Sequence, residues 1–346
     1  MSDKIIQKED LLDILKALKE TYEVFGPVKE NGFYSFKPLK DEENIDFNVT
    51  NTRLSPKSLL LPQSERMFEF SLDEKSEDGN IVKESSKDYL PAVIFGIRPC
   101  DAKALRLVNV NFENPEFKDP WWVKRMESTM TFIGLGCNEP SNTCFCTSVG
   151  CGPFNEEGLD ILLFDCEESF LARALTDKGE KVLEKAGVNK DVDSDIQKKA
   201  HALKEEAEKK ISINVPTDKL REKKVNDLFN APFWDDVAFA CINCGTCTFL
   251  CPTCWCFDIQ DEITKKRGDR IRNWDSCMFP LFTLHASGHN PRSEKVQRVR
   301  QRFMHKLKYY VDKYNNGVAC VGCGRCVKYC PVNIDIRDVF KLMNNT

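Results

Sequence analysis

The chain has 346 residues, a formal net charge of -4, and 41% hydrophobic and 30% charged residues. That length predicts two domains, the acidic balance argues against general affinity for nucleic acid or membrane, and no apolar run is long enough to span a bilayer. Seventeen cysteines would suggest a disulfide scaffold in a short secreted chain. Here the opening MSDKIIQKEDLLDILK scatters charge where a signal peptide needs an apolar core, so a cytoplasmic setting with reduced thiols is expected.

Leu11, Leu12, Ile14, Leu15 and Leu18 recur at helical spacing and predict an amphipathic opening helix. From Tyr22 to Phe70, pieces such as YEVFG, GFYSF and RMFEF alternate with Pro and Asn/Asp breaks, which predicts a strand-rich stretch. The charged segment Leu72 to Asp88 reads as a surface loop. Two alike stretches follow. PAVIFGIRPCD leads to Cys100 and TMTFIGLGCNEP to Cys137, each an apolar run bounded by Gly and Pro that suits a buried strand of a parallel sheet. Ligands of such sheets collect beyond the carboxyl ends of the strands. The loop SNTCFCTSVGCGP then brings Cys144, Cys146 and Cys151 to the same place. An iron-sulfur cluster held by Cys100, Cys137, Cys144 and Cys146 is expected there, with Cys151 as an alternative for one of the four. Buried thiols that only pack are the bland reading.

DILLFD at Asp160 to Asp165 predicts one more strand, and Cys166 is assigned to packing. From Glu168 to Asn230 the pieces FLARAL, KVLEKAG, DIQKKAHALKEEAEKK and DKLREKKVNDLF read as charged helices with His201 on the surface. The chain then writes CINCGTCTFLCP from Cys241 and CVGCGRCVKYCP from Cys320. Each is Cys-x2-Cys-x2-Cys-x3-Cys-Pro, the run that holds 4Fe-4S clusters in bacterial-type ferredoxins, where the fourth cysteine serves the other cluster. One cluster is therefore expected on Cys241, Cys244, Cys247 and Cys330, and its twin on Cys320, Cys323, Cys326 and Cys251. Zinc knuckles would need neither the third Cys step nor the Cys-Pro.

Residues 253–319 form an insertion between the runs. In it Val296, Val299, Phe303, Leu307 and Tyr310 share a helix face, with a basic opposite face expected to meet an acidic partner. Cys254, Cys256 and Cys277 are left over, and a further metal site using His289 or His305 weighs against core packing for them. A short helix from Asp335 to Met343 closes the chain. The expected organisation is α+β: a mixed α/β domain at 1–166, a charged helical linker at 167–230, and a split two-cluster ferredoxin-like domain at 231–346.

RPCD at Arg98 to Asp101, CFC at Cys144 to Cys146, CPTCWCFD from Cys251, WDSCMF, GHNPR and CVGCGRC together resemble the iron-sulfur beta subunit of soluble NiFe hydrogenases of the sulfhydrogenase type, and the related A subunit of anaerobic sulfite reductase. The resemblance runs from about Ser55 to the end, in family order, and departs from the pattern at Cys151. It implies an electron-transfer subunit working between a flavin-bearing NAD(P)H subunit and a catalytic subunit of NiFe or siroheme type. No GxGxxG after a strand, Walker loop or triad competes with that reading. Two other readings stand beside it. One is a self-contained reductase working at the N-terminal cysteine loop. The other is a nucleic-acid protein with structural clusters, prompted by KKRGDRIR.

Overall fold

The computed structural model describes residues 3–40, 46, 49–75 and 77–346. Parts of the expected strand-rich stretch (41–45, 47, 48) and of the expected surface loop (76) lie outside the described residues.

The strands are β1 (Asp3–Gln7), β2 (Glu23–Glu30), β3 (Phe33–Pro38), β4 (Ser64–Ser71), β5 (Val82–Glu84), β6 (Ala92–Ile97), the short β7 (Glu113–Asn114) and β8 (Phe117–Lys118), β9 (Met130–Leu135), β10 (Ile161–Asp165), β11 (Ser169–Ala174), β12 (Phe257–Thr264) and β13 (Arg267–Trp274). A seven-stranded sheet runs β1-β11-β10-β9-β6-β2-β3. Its centre, β2, β6, β9 and β10, is parallel. Every residue of β6 and β9 is buried, because helices cover both faces. Alternate side chains divide between two cores, as a period of two requires. Val93, Phe95 and Ile133 join Leu15 and Leu18 of the helix Leu11–Lys19. Ile94 and Phe132 join Leu105 and Val108 of the helix Pro99–Phe112 on the other face.

FLARAL is strand, not helix. It forms most of β11, paired with β1 on one side and β10 on the other. Phe170, Leu171, Ala172 and Ala174 are all buried, and burial on both faces of a sheet overrides a weak helical pattern. Downstream, Asp177–Lys185 and Ser194–Lys209 are helical as expected. The expected surface loop after Leu72 contains the exposed edge strand β5.

A second, antiparallel sheet has the order β12-β13-β4-β5, so the insertion between the cysteine runs contributes a hairpin to a sheet begun near residue 64. KKRGDRIR is the turn and second strand of that hairpin. Several of its charges are paired within the chain: Arg270 with Asp261, Lys266 with Asp73, and Asp269 with Arg66. Arg272 is fully buried and pairs with both Glu65 and Asp119.

The C-terminal part packs around Trp234, Phe303 and Phe340, with the helix Ile336–Asn345 closing it. Among the described residues, no helix is long and apolar enough to cross a membrane.

Arg272 gives the fold a test. Arg272→Met leaves Asp119 and one oxygen of Glu65 without their cation, and is expected to lower the unfolding free energy by about 3 to 5 kcal/mol. Chemical denaturation followed by circular dichroism measures it. A change below about 1 kcal/mol would show that the pair does not tie the hairpin to the first half of the chain.

Candidate iron-sulfur centres

The two C-terminal runs fold alike. Asn243 and Gly322 have φ of 55° and 63°, and Gly245 and Gly324 both have φ of 73°, so each Cys-x2-Cys-x2-Cys turns through the left-handed region twice before entering a short helix. At Gly322 there is a second reason for glycine: an added Cβ would stand 2.5 Å from the backbone nitrogen of Cys146. The bare backbone lets the Phe145 N–H donate to the Gly322 carbonyl at 2.9 Å.

Cys241, Cys244, Cys247 and Cys330 line one cavity of about 440 Å³, partly open to solvent. Backbone N–H groups already point at its sulfurs, Asn243 to Cys241 at 3.4 Å and Ile334 to Cys330 at 3.2 Å. Cys320, Cys323 and Cys326 each lie within electrostatic range of Cys251. Cys326 also feels Cys247, so the two sets adjoin. Burial pushes the Cys323 thiol up to about 11.

Cys100, Cys137, Cys144 and Cys146 line a second cavity of about 320 Å³. Cys100 sits in the first helical turn after β6 and Cys137 two residues beyond the neighbouring parallel strand β9. Cys151 does not line this cavity, although its backbone N–H donates to the Cys146 carbonyl at 3.0 Å. Burial pushes Cys100 and Cys146 well up and Cys144 to about 12. At Cys137 the buried Arg98 guanidinium works against that rise. Arg98 is aimed there by donating to the carbonyls of Leu135 at 3.2 Å and Gly136 at 2.6 Å.

The same cavity has Cys323 of the second run in its wall. Asn51 bridges them, donating to the Cys323 carbonyl at 3.2 Å with its amide oxygen 3.9 Å from the Cys100 sulfur. Asp101 and Arg325, one residue from Cys100 and one from Cys326, make a bidentate ion pair at 2.6 and 2.7 Å. They are 1% and 2% exposed. RPCD and CGRC are thus two halves of one contact.

The expected basic face of the helical segment 295–314 is not on the surface. Arg298, Arg302, Lys306 and Lys308 are all buried. Arg302 faces Cys247 and Cys326, and Lys306 faces Cys251 and Cys254. Burial works against both charges, and the thiols outweigh it. Lys57 is buried against the same loop and donates to the carbonyls of Cys251 and Cys254 at 2.8 and 2.7 Å. Sequence reasoning missed these three cations as parts of the site. Their spacing along a basic helix read as a solvated stripe, and Lys57 stands almost 200 residues from the loop it serves.

Among the described residues, no group of three or more His, Cys, Asp or Glu side chains is closed tightly enough for a single metal ion. A cubane ties each thiolate to its own iron, and thiols spaced around a cavity with N–H donors and buried cations suit such an anionic group. His201 is exposed beside Glu205, and Cys166 packs in the core.

A family model described as a 4Fe-4S dicluster domain matches residues 240–334. Over 337 residues, the chain is 31% identical to sulfhydrogenase 2 subunit beta of Pyrococcus furiosus, covering 95% of each chain. No solved structure matches it.

Gly322→Ala is expected to cost about 1 to 2 kcal/mol for the left-handed backbone alone, and more as the Cys146 loop is pushed off. Alkylation of Cys146 in the folded protein should rise with it, read by mass spectrometry. Unchanged stability and unchanged alkylation would reject the close approach.

Proposed function

The chain belongs to the family of the sulfhydrogenase beta subunit and is an iron-sulfur electron-transfer protein; from that premise we propose that it carries electrons inside a cytoplasmic multisubunit oxidoreductase. Its partners on this reading are a flavin-bearing NAD(P)H-oxidoreductase subunit and a catalytic subunit of the NiFe hydrogenase or siroheme type. The ligand sets proposed are Cys241, Cys244, Cys247 with Cys330; Cys320, Cys323, Cys326 with Cys251; and Cys100, Cys137, Cys144 with Cys146.

One observation carries the proposal: the three sets stand in a row. Cys323 shares a wall with the N-terminal set, Cys326 neighbours Cys247, and Cys244 at the far end is exposed. Iron-sulfur clusters supply one-electron chemistry, with potentials set by ligation, nearby charge and hydrogen bonds. The chain's part is to hold the thiolates, to direct N–H groups at Cys241 and Cys330, and to bury Arg302, Lys306 and Arg325 beside them. Around the exposed Cys244, Phe239 and Ile242 are 84% and 62% exposed, an apolar rim on which a partner subunit would seat.

Anaerobically reconstituted protein should accept electrons from a strong chemical reductant and show no NADH or NADPH oxidation. Steady NAD(P)H oxidation by the isolated, flavin-free chain would sink the proposal. Cys330→Ser should alter the electron paramagnetic resonance of the cluster on Cys241, Cys244 and Cys247. Loss confined to the Cys320 set would reject the crossed ligation. In the whole chain, Cys100→Ala with Cys137→Ala should remove about four irons, and unchanged iron content would return those cysteines to packing.

A further inference from the structure

Five cysteines take no part in the sets above, and the fold gathers three of them. Cys254 and Cys256 follow the first run directly, and Cys277 arrives after the β12–β13 hairpin. All three line one cavity of about 420 Å³ together with Arg302, His305 and Lys306. The Asp275 N–H donates to the Cys256 carbonyl at 3.0 Å and locks the two segments together. Cys277 and Cys256 are neighbours within electrostatic range of one another. On the other side, Cys254 adjoins Cys251, and its backbone N–H donates to the Cys251 carbonyl at 3.3 Å.

The surroundings ask for negative charge. Arg302 is 4% exposed, and its Nε and Nη2 have no hydrogen-bond partner. Lys306 donates to the Thr253 hydroxyl at 2.6 Å and the Ala319 carbonyl at 3.2 Å, and Lys57 only to carbonyls. Among the described residues no carboxylate is paired with any of the three, and the thiols that Lys57 faces are Cys254, Cys251 and Cys256. Buried cations are paired or they lose their charge. Neutral thiols do not pair them; metal-bound thiolates do.

We propose that Cys254, Cys256 and Cys277 hold a further iron-sulfur cluster in this cavity, with the His305 imidazole as the fourth ligand. Like the cavity of Cys241, Cys244, Cys247 and Cys330, this one has four candidate ligands around its wall, and among the described residues no three such side chains are set for a single metal ion, which is why a cluster rather than a single ion is assigned. The His305 ring stands in the wall of the same cavity, edge-on to Trp255 with 5.8 Å between ring centroids, and a neutral imidazole is a common metal ligand. The proposal rests on the reading of the chain as an iron-sulfur electron carrier. It adds to the row a side branch that leaves where Cys254 adjoins Cys251.

Anomalous diffraction at the iron and zinc edges, on crystals of the anaerobically prepared whole chain, tests it without a mutation. Iron is expected in the Cys254, Cys256 and Cys277 cavity as well as at the two runs. Iron at the runs with none in this cavity overturns the proposal alone, as does a zinc-edge signal there without iron. No iron anywhere overturns the electron-carrier reading with it. In solution the wild type should hold about sixteen irons rather than twelve. Cys256→Ala with Cys277→Ala should lose about four while the paramagnetic signals of the two runs persist. Equal iron in variant and wild type would also overturn it.

Discussion

A guanidinium and a carboxylate, both almost wholly removed from water, set the geometry on which the candidate centres depend. Arg325 follows the second turn of the C-terminal run, Asp101 follows Cys100, and their bidentate pair joins the ferredoxin-like part to the carboxyl end of the parallel sheet. The Arg325 Nε also donates to the Thr52 carbonyl at 2.8 Å. A buried pair of this kind adds little net stability over a well-packed apolar pair, but either partner alone would be strongly unfavourable. It therefore admits one docking of the two parts, the one in which Cys323 lies in the wall of the N-terminal cavity. The glycine at position 322 makes that docking close enough to be direct.

Around this joint the chain follows one electrostatic rule. The proposed ligand thiolates would concentrate anionic potential in the interior, and the fold holds cations that have left the solvent beside them: Lys57, Arg98, Arg302, Lys306 and Arg325. A helix with four buried basic residues would be untenable in an ordinary core. Here Arg302 and Lys306 complement the cysteine loops, while Arg298 donates to the Arg292 and Ser293 carbonyls and Lys308 pairs with Asp312. The acidic total charge of the chain thus says little about its interior, where positive charge dominates.

Much of this was legible in the residues. Apolar runs bounded by Gly and Pro located β6, β9 and β10, and the two cysteine runs located the turns that carry Cys241 to Cys251 and Cys320 to Cys330. Two strand ends and the small-residue loop after the second brought Cys100, Cys137, Cys144 and Cys146 to one cavity. Long-range facts were not legible. FLARAL has a local pattern that fits a helix, and only its position between β1 and β10 makes it a strand. The basic residues of 295–308 look like a surface stripe until their neighbours across the fold are known. Cys277 joins Cys256 only because an intervening hairpin doubles back on itself.

That hairpin also constrains how the chain comes to be folded. β4 begins at Ser64, and its partner β13 ends at Trp274, so the second sheet closes a loop of about 200 residues whose entropy must be lost before the pairing repays it. During synthesis Met67, Phe68 and Phe70 emerge early and lack the strand that will pair with them until late in translation. The segment is an open sheet edge for that interval, prone to pair with whatever strand is near. Folding in vivo is therefore expected to be post-translational for this layer and to lean on holding chaperones, even though the parallel sheet beside it is complete once Ala174 has emerged.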